Sequence, residues 1–129
     1  MRLSDLRVLV VEDEIMKFMD IKRALEFNGI RDIFLVGNQD AVWEEIEKET
    51  DNKIDLIVTD MHYPIHFGQE ADCNAGFILL EEMEKKGLKI PIIICSSVNY
   101  REPKALGCVW YNPLSDLEFD FKEILQRLQ

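Results

Sequence analysis

The sequence predicts an α/β domain, a three-layer sandwich in which a five-stranded parallel sheet lies between helices. Three observations carry this. Five short apolar runs, rich in Val and Ile, alternate with segments whose apolar residues recur at helical spacing. The runs are continuous, as in strands buried on both faces. The β/α alternation itself implies parallel strands covered on both sides. A length of 129 residues with 47% hydrophobic and 31% charged residues suits one domain, 1–129, with a substantial core.

Each element follows from its residues. Val8-Leu9-Val10-Val11 is the first strand and stops abruptly at Glu12-Asp13-Glu14. From Ile15 to about Asn28 the pattern is helical: Phe18, Ile21 and Leu25 form the apolar stripe, Lys17, Asp20, Lys22 and Arg23 lie between them, and Gly29 is the stop. Ile33-Phe34-Leu35-Val36 is the second strand. Gly37-Asn38-Gln39-Asp40 is polar and able to cap a helix marked by Ala41, Val42 and Ile46, whose solvated face carries Glu44, Glu45, Glu47, Lys48 and Glu49. The third strand, Ile54 to Val58, leads to Asp60, and Pro64 sets a turn that biases Tyr63 away from helix. Residues 65–75 read as a long polar loop without periodicity. A third helix runs from Gly76 to about Lys86, with Phe77, Leu80 and Met83 on one face and Gly87 at its end. Ile90 to Cys95 is the fourth strand, where Pro91 is tolerated at the start, and Ser96 and Ser97 follow. Val98 to Gly107 carries Pro103 and has room for little more than one helical turn. Cys108 to Tyr111 is the fifth strand, ending in Asn112-Pro113. The last helix opens with the capping box Ser115-Asp116-Leu117-Glu118 and buries Leu117, Phe121, Ile124, Leu125 and Leu128.

Composition narrows the function classes. The net charge of −10 repels polyanions, which argues against unaided binding to nucleic acid or an anionic membrane. No apolar run approaches the roughly 20 residues that span a bilayer, and Met1 to Arg7 carry no signal-peptide pattern. The three cysteines, Cys73, Cys95 and Cys108, are not in metal spacing, and the last two sit in apolar strands as reduced core residues. The expectation is a cytoplasmic protein. Neither G-x-G-x-x-G nor a Walker A run follows the first strand, so dinucleotide binding is not expected.

The chemistry lies at the carboxyl ends of the strands, where open α/β sheets bind ligands. Glu12 and Asp13, Asp60, Ser96 and Asn112 collect there from four different strands. Converging carboxylates repel each other without a cation, and hard oxygen ligands with room for water suit Mg²⁺. A metal-bridged carboxylate is also a competent nucleophile toward phosphorus. The structural alternative is that Asp60 is only a turn-former or a helix cap.

Three segments, Val10-Val11-Glu12-Asp13-Glu14, Asp60-Met61-His62-Tyr63-Pro64 and Pro91-Ile92-Ile93-Ile94-Cys95-Ser96-Ser97, make the chain resemble the response-regulator receiver domains of two-component signalling. The resemblance spans essentially the whole chain and implies a flavodoxin-like strand order. It further implies that Asp60 accepts a phosphoryl group from a phosphohistidine on a histidine kinase or histidine phosphotransferase. Glu12, Asp13, Asp60 and the His62 backbone carbonyl would hold Mg²⁺, and the Ser96 hydroxyl would sense the phosphate. Any activity of its own would be limited to taking up a phosphoryl group and releasing it. The output would go to a downstream protein.

The chain departs from the family in three ways. The lysine that precedes proline at the end of the family's fifth strand is Asn112 here, which offers a neutral hydrogen bond in place of a charged one. The family's aromatic switch position is Val109, with Trp110 and Tyr111 beside it. The stretch from Ser96 to Asn112 is short, leaving a shortened fourth helix. These departures keep open a phosphorylation-independent interaction module, and, more weakly, an enzyme handling an acyl or aspartyl phosphate. His62, His66, Asp72 and Cys73 match no standard zinc spacing. No G-x-S-x-G elbow supports a hydrolase. Arg101 and Lys104 are the cations that the short fourth segment brings toward the site, although solvated surface is the simpler role for both.

Overall fold

A computed structural model describes residues 2–48 and 53–129; Glu49, assigned above to the solvated face of the second helix, lies outside them. The elements run β1 (Arg7–Val11), α1 (Ile15–Phe27), β2 (Asp32–Val36), α2 (Gln39–Glu47), β3 (Leu56–Thr59), β4 (Tyr63–Pro64), β5 (Ala71–Asp72), α3 (Ala75–Lys85), β6 (Ile92–Ser96), β7 (Gly107–Trp110) and α4 (Leu117–Leu125). The main sheet has the order β2-β1-β3-β6-β7, and every pair in it is parallel. This is the flavodoxin-like order, whose switch point falls between β1 and β3.

The period of two along each strand sorts the core into two layers. Val8, Val10, Leu56, Val58, Ile93, Cys95 and Val109 face α1 and α4, meeting Ile21, Leu25, Phe121 and Ile124. Leu9, Val11, Ile57, Ile92 and Ile94 face α2 and α3, meeting Val42, Leu79, Leu80 and Met83. Gly29 and Gly87 take positive φ, +95° and +67°, directly after α1 and α3 and end those helices as expected.

Three local features differ from the sequence reading. Residues 65–75 are not featureless, because β4 and β5 pair antiparallel in a small hairpin. The shortening of the fourth helix goes to its limit: residues 97–106 form turns and bends without a helical segment. The last helix is capped by Asp116, which accepts from the Phe119 N–H at 3.1 Å. Ser115 is drawn away from that role because its hydroxyl bonds the Trp110 carbonyl at 2.5 Å.

Candidate functional site

β1 and β3 end level with each other. Val11 is the register partner of Thr59. The Asp60 N–H donates to the Val11 carbonyl at 3.0 Å, and the Glu12 N–H donates to Val36, also at 3.0 Å. The two strands therefore release Glu12-Asp13 and Asp60 at one height, across the switch point. One oxygen each from Glu12, Asp13 and Asp60 lies within 4.8 Å of the others. Glu12 is buried, Asp60 is partly buried and Asp13 is exposed.

Polar contacts orient two of these carboxylates. Glu12 Oε2 accepts from the Glu14 N–H at 3.0 Å, and Asp60 Oδ1 accepts from the Met61 N–H at 2.7 Å. A cation completes the arrangement: Lys17 Nζ lies 2.9 Å from Glu12 Oε1 and 3.1 Å from Asp60 Oδ1. Lys17 is only 4% exposed, and its ammonium sits 5.4 Å from the centre of the Tyr111 ring. The sequence reading left Lys17 among the polar residues of α1. Its spacing held the signal, since it precedes Ile21 by one helical turn and Leu25 by two, on the buried stripe.

Burial raises the Glu12 carboxyl to about 7, with a smaller push from Asp60, against the pull of Lys17. Burial alone would lower Lys17, but the Asp60 and Glu12 carboxylates outweigh it and hold the ammonium above its ordinary value. The Glu12 shift has a sign for stability. With a folded value above the unfolded 4.5, the unfolded chain releases its proton first as pH rises. The metal-free protein is therefore expected to lose about 1–3 kcal/mol between pH 4.5 and 7. Urea unfolding at both pH values checks this, and Glu12→Gln should flatten the dependence.

The backbone around Asp60 is held from below. Tyr63 is fully buried, with its hydroxyl 3.3 Å from Thr59 Oγ1 and 3.5 Å from both Gln39 Nε2 and the Ala75 carbonyl. Gln39 also donates to the Ala75 carbonyl at 2.9 Å, and Thr59 donates to the Asp60 carbonyl at 2.8 Å. The start of α3 closes on the same backbone, where the Gly76 N–H donates to Met61 O at 3.1 Å. A Cβ on Gly76 would stand 2.9 Å from the Asp60 carbonyl oxygen and from Met61 Sδ. Gly76→Ala is therefore expected to destabilise the fold by about 1–3 kcal/mol, measured as a lower urea midpoint, and to shift the amide resonances of 60–62.

The remaining expected residues are placed as follows. Ser96 is buried at the end of β6, its hydroxyl accepting from the Val98 N–H at 3.2 Å. His62 lies in the bend between Asp60 and β4 with an exposed side chain. Asn112 is engaged by its own turn: Nδ2 donates to Ser115 Oγ at 2.6 Å and to Trp110 O at 3.2 Å, and Oδ1 accepts from the Leu114 N–H at 3.0 Å. Val109 is buried. The Tyr111 hydroxyl donates to Asp20 on α1 at 2.5 Å. Lys104 pairs with Glu84 at 2.8 Å. His66 pairs with Asp40 at 2.8 Å, and His62, His66, Asp72 and Cys73 form no metal-sized cluster among the described residues. A wider concavity lined by Asp20, Arg23, Tyr111, Asn112 and Leu117 lies between α1 and the turn after β7. It does not contain Glu12, Asp13 or Asp60, the carboxylates that gather within 4.8 Å of one another beside a buried ammonium.

No family model matches the chain. Over 123 residues it is 27% identical to the uncharacterized transcriptional regulatory protein YbdJ of Bacillus subtilis, covering 95% of this chain and 49% of that protein. It thus spans about half the length of the curated relative it matches. Among solved structures, the response regulator TrrA of Thermotoga maritima, in complex with Mg²⁺ and BeF, superposes with a TM-score of 0.70 at 24% identity, covering 96% of this chain and 99% of that one. The signal receiver domain of a LuxO repressor protein from Vibrio parahaemolyticus superposes with a TM-score of 0.71 at 19% identity, covering 95% of this chain and 89% of that one. The chain has the response-regulator receiver fold. In this receiver fold the acidic cluster lies where β1 and β3 part, and no helix of the described residues is long and apolar enough to cross a membrane.

Proposed function

We propose that this chain is a phosphoacceptor receiver of a two-component phosphorelay, phosphorylated on Asp60 with Mg²⁺ bound. The observation that supports this most is the convergence of Glu12, Asp13 and Asp60 at the switch point of a receiver fold. The donor set also fits a hard divalent ion. Glu12 Oε1 is a buried oxygen that no N–H of a described residue satisfies with good hydrogen-bond geometry, and the Lys17 ammonium lies 2.9 Å from it. Glu12, Asp13, Asp60 and the His62 carbonyl would hold Mg²⁺, which supplies charge neutralisation for the phosphoryl oxygens.

The chain's own residues do the rest. Met61 N–H and Lys17 fix Asp60 Oδ1, and Oδ2 accepts no hydrogen bond from a described residue. A carboxylate oxygen of Asp60 forms the new bond to phosphorus as the P–N bond of the donor phosphohistidine breaks, and the donor imidazole keeps the bonding pair. Ser96, at the end of the neighbouring strand, is the hydroxyl that meets the added phosphate. The donor is a histidine kinase or histidine phosphotransferase. The net charge of −10 supports output through a protein partner, without direct contact of this domain to nucleic acid or membrane; the phosphorelay role itself implies the cytoplasm.

Incubation with Mg²⁺ and a small phosphodonor tests the reading by intact mass. A gain of one phosphoryl group, absent in Asp60→Asn, supports it; no gain, or a gain that survives the substitution, rejects it.

One observation favours a second reading, a phosphorylation-independent interaction module: Lys17 already neutralises part of the acidic cluster from within the chain. On that reading Asp60→Ala leaves partner binding unchanged, and loss of binding counts against it.

A further inference from the structure

The pocket's expected cation is missing from its expected place. Asn112 stands where the resemblance would put a lysine, and its amide is taken up by Trp110, Leu114 and Ser115. Lys104 is held by Glu84 on α3. A cation is nevertheless present. Lys17 enters from α1, and its ammonium reaches both Glu12 at 2.9 Å and Asp60 at 3.1 Å. It also lies over the ring of Tyr111, the residue next to Asn112.

We propose that Lys17 is the phosphoryl-binding lysine of this protein, supplied from α1 in place of a lysine after β7. The inference rests on Asp60 being the phosphoacceptor.

Three physical points carry it. An ammonium removed from water is costly even when paired, and an apolar side chain of similar volume is commonly no worse for stability. The buried stripe of α1 otherwise holds Phe18, Ile21, Ala24 and Leu25, so a lysine there is a departure that stability alone does not call for. Next, the ammonium lies 3.1 Å from Asp60 Oδ1, while Oδ2 accepts no hydrogen bond from a described residue. A phosphoryl group on Asp60 adds three acceptor oxygens within the swing of a flexible four-carbon stem. Finally, the pocket is anionic, and a second anion entering it needs positive charge that the neutral Asn112 amide does not provide.

In the step concerned, with acetyl phosphate as donor, the bond from an Asp60 oxygen to phosphorus forms while the bond from phosphorus to the acetate oxygen breaks. Acetate leaves with the bonding pair. Lys17 neither gives nor takes a proton; its charge follows the phosphoryl oxygens.

The test compares wild type, Lys17→Met and the double variant Lys17→Met/Asn112→Lys, with Mg²⁺ present throughout. It reads the rate of phosphoryl uptake from acetyl phosphate by intact mass and the affinity for beryllofluoride by amide resonance shifts. Mn²⁺ binding and circular dichroism report the site and the fold. The expected result is that Lys17→Met stays folded, binds Mn²⁺ at least as tightly as wild type because a competing cation is gone, and loses about ten- to a hundredfold in uptake rate and beryllofluoride affinity. Returning a lysine after β7 in the double variant should restore most of the loss, which a purely structural role for Lys17 would not allow. If Lys17→Met does not fold, Lys17→Gln, neutral and of similar reach, takes its place with the same expected loss. Uptake and beryllofluoride binding at wild-type levels in the folded neutral variant would overturn the proposal and leave Lys17 a counter-ion only. A wild-type chain that takes up no phosphoryl group overturns the phosphoacceptor reading, and the proposal with it.

Discussion

Asp13→Asn is expected to slow Mg²⁺-dependent phosphoryl uptake by about ten- to a hundredfold, a loss typical of removing one group that tunes a metal site. It should do so without weakening the metal-free fold. Asp13 is the exposed member of the acidic cluster and makes no side-chain ion pair or hydrogen bond among the described residues. Glu12 and Asp60, by contrast, are tied to Lys17 and to backbone N–H groups. Removing the charge of Asp13 relieves repulsion within 4.8 Å of two other carboxylates, so the metal-free midpoint in urea should hold or rise slightly. The opposite signs are the point of the experiment. A residue kept for the fold loses stability when neutralised; one kept for a cation loses binding and uptake alone. Titration of Mg²⁺ against the uptake rate in both proteins checks it: the variant should need more Mg²⁺ to reach half its maximal rate. Equal Mg²⁺ dependence would remove Asp13 from the metal set.

How legible this was in the sequence depended on which forces set each feature. The main sheet was readable because its strands are buried on both faces, so runs such as Val8–Val11 and Ile92–Cys95 are continuous and unmistakable. The carboxylates were readable for the same reason: Glu12 and Asp60 interrupt apolar runs at their ends. The β4–β5 hairpin was not, because its outer strand, Ala71-Asp72, carries no hydrophobic alternation, and its position is fixed by the buried Tyr63 hydroxyl contacting Thr59, Gln39 and Ala75 across the chain. Nor was the role of Lys17. Its spacing placed it on the buried stripe of α1, but a lysine between apolar residues reads as solvated by default, and the approach of α1 to Asp60 is what shows its charge to be matched. Asn112 was legible as a departure from the pattern that the resemblance implies, but not as a turn residue, since its partners Trp110, Leu114 and Ser115 follow from the tight path between β7 and α4.

The largest effect on stability is expected from Phe121→Ala, at about 3–5 kcal/mol, the range for deleting a fully buried aromatic ring. Phe121 is 0% exposed and belongs to the layer that joins α1 and α4 to the sheet. Neighbours have little freedom to fill the space. The Ile124 side chain lies over Gly107, where an added Cβ would come within 2.8 Å of it, so α4 already sits as close to β7 as its side chains permit. Asn28 ties the end of α1 to α4 through a 3.0 Å bond to the Glu118 carbonyl, which resists a slide of one helix along the other. The cavity therefore stays largely open. A loss of this size should lower the thermal midpoint by about 10 °C or more for a domain of this length. Because α1 also carries Lys17, the same variant should loosen the pairing of Lys17 with Asp60 before the sheet itself gives way. Hydrogen exchange checks that order: amides of α1 and α4 should lose protection by a larger factor than those of β1 and β3. A uniform loss across all elements would mean that both helices unfold only with the sheet.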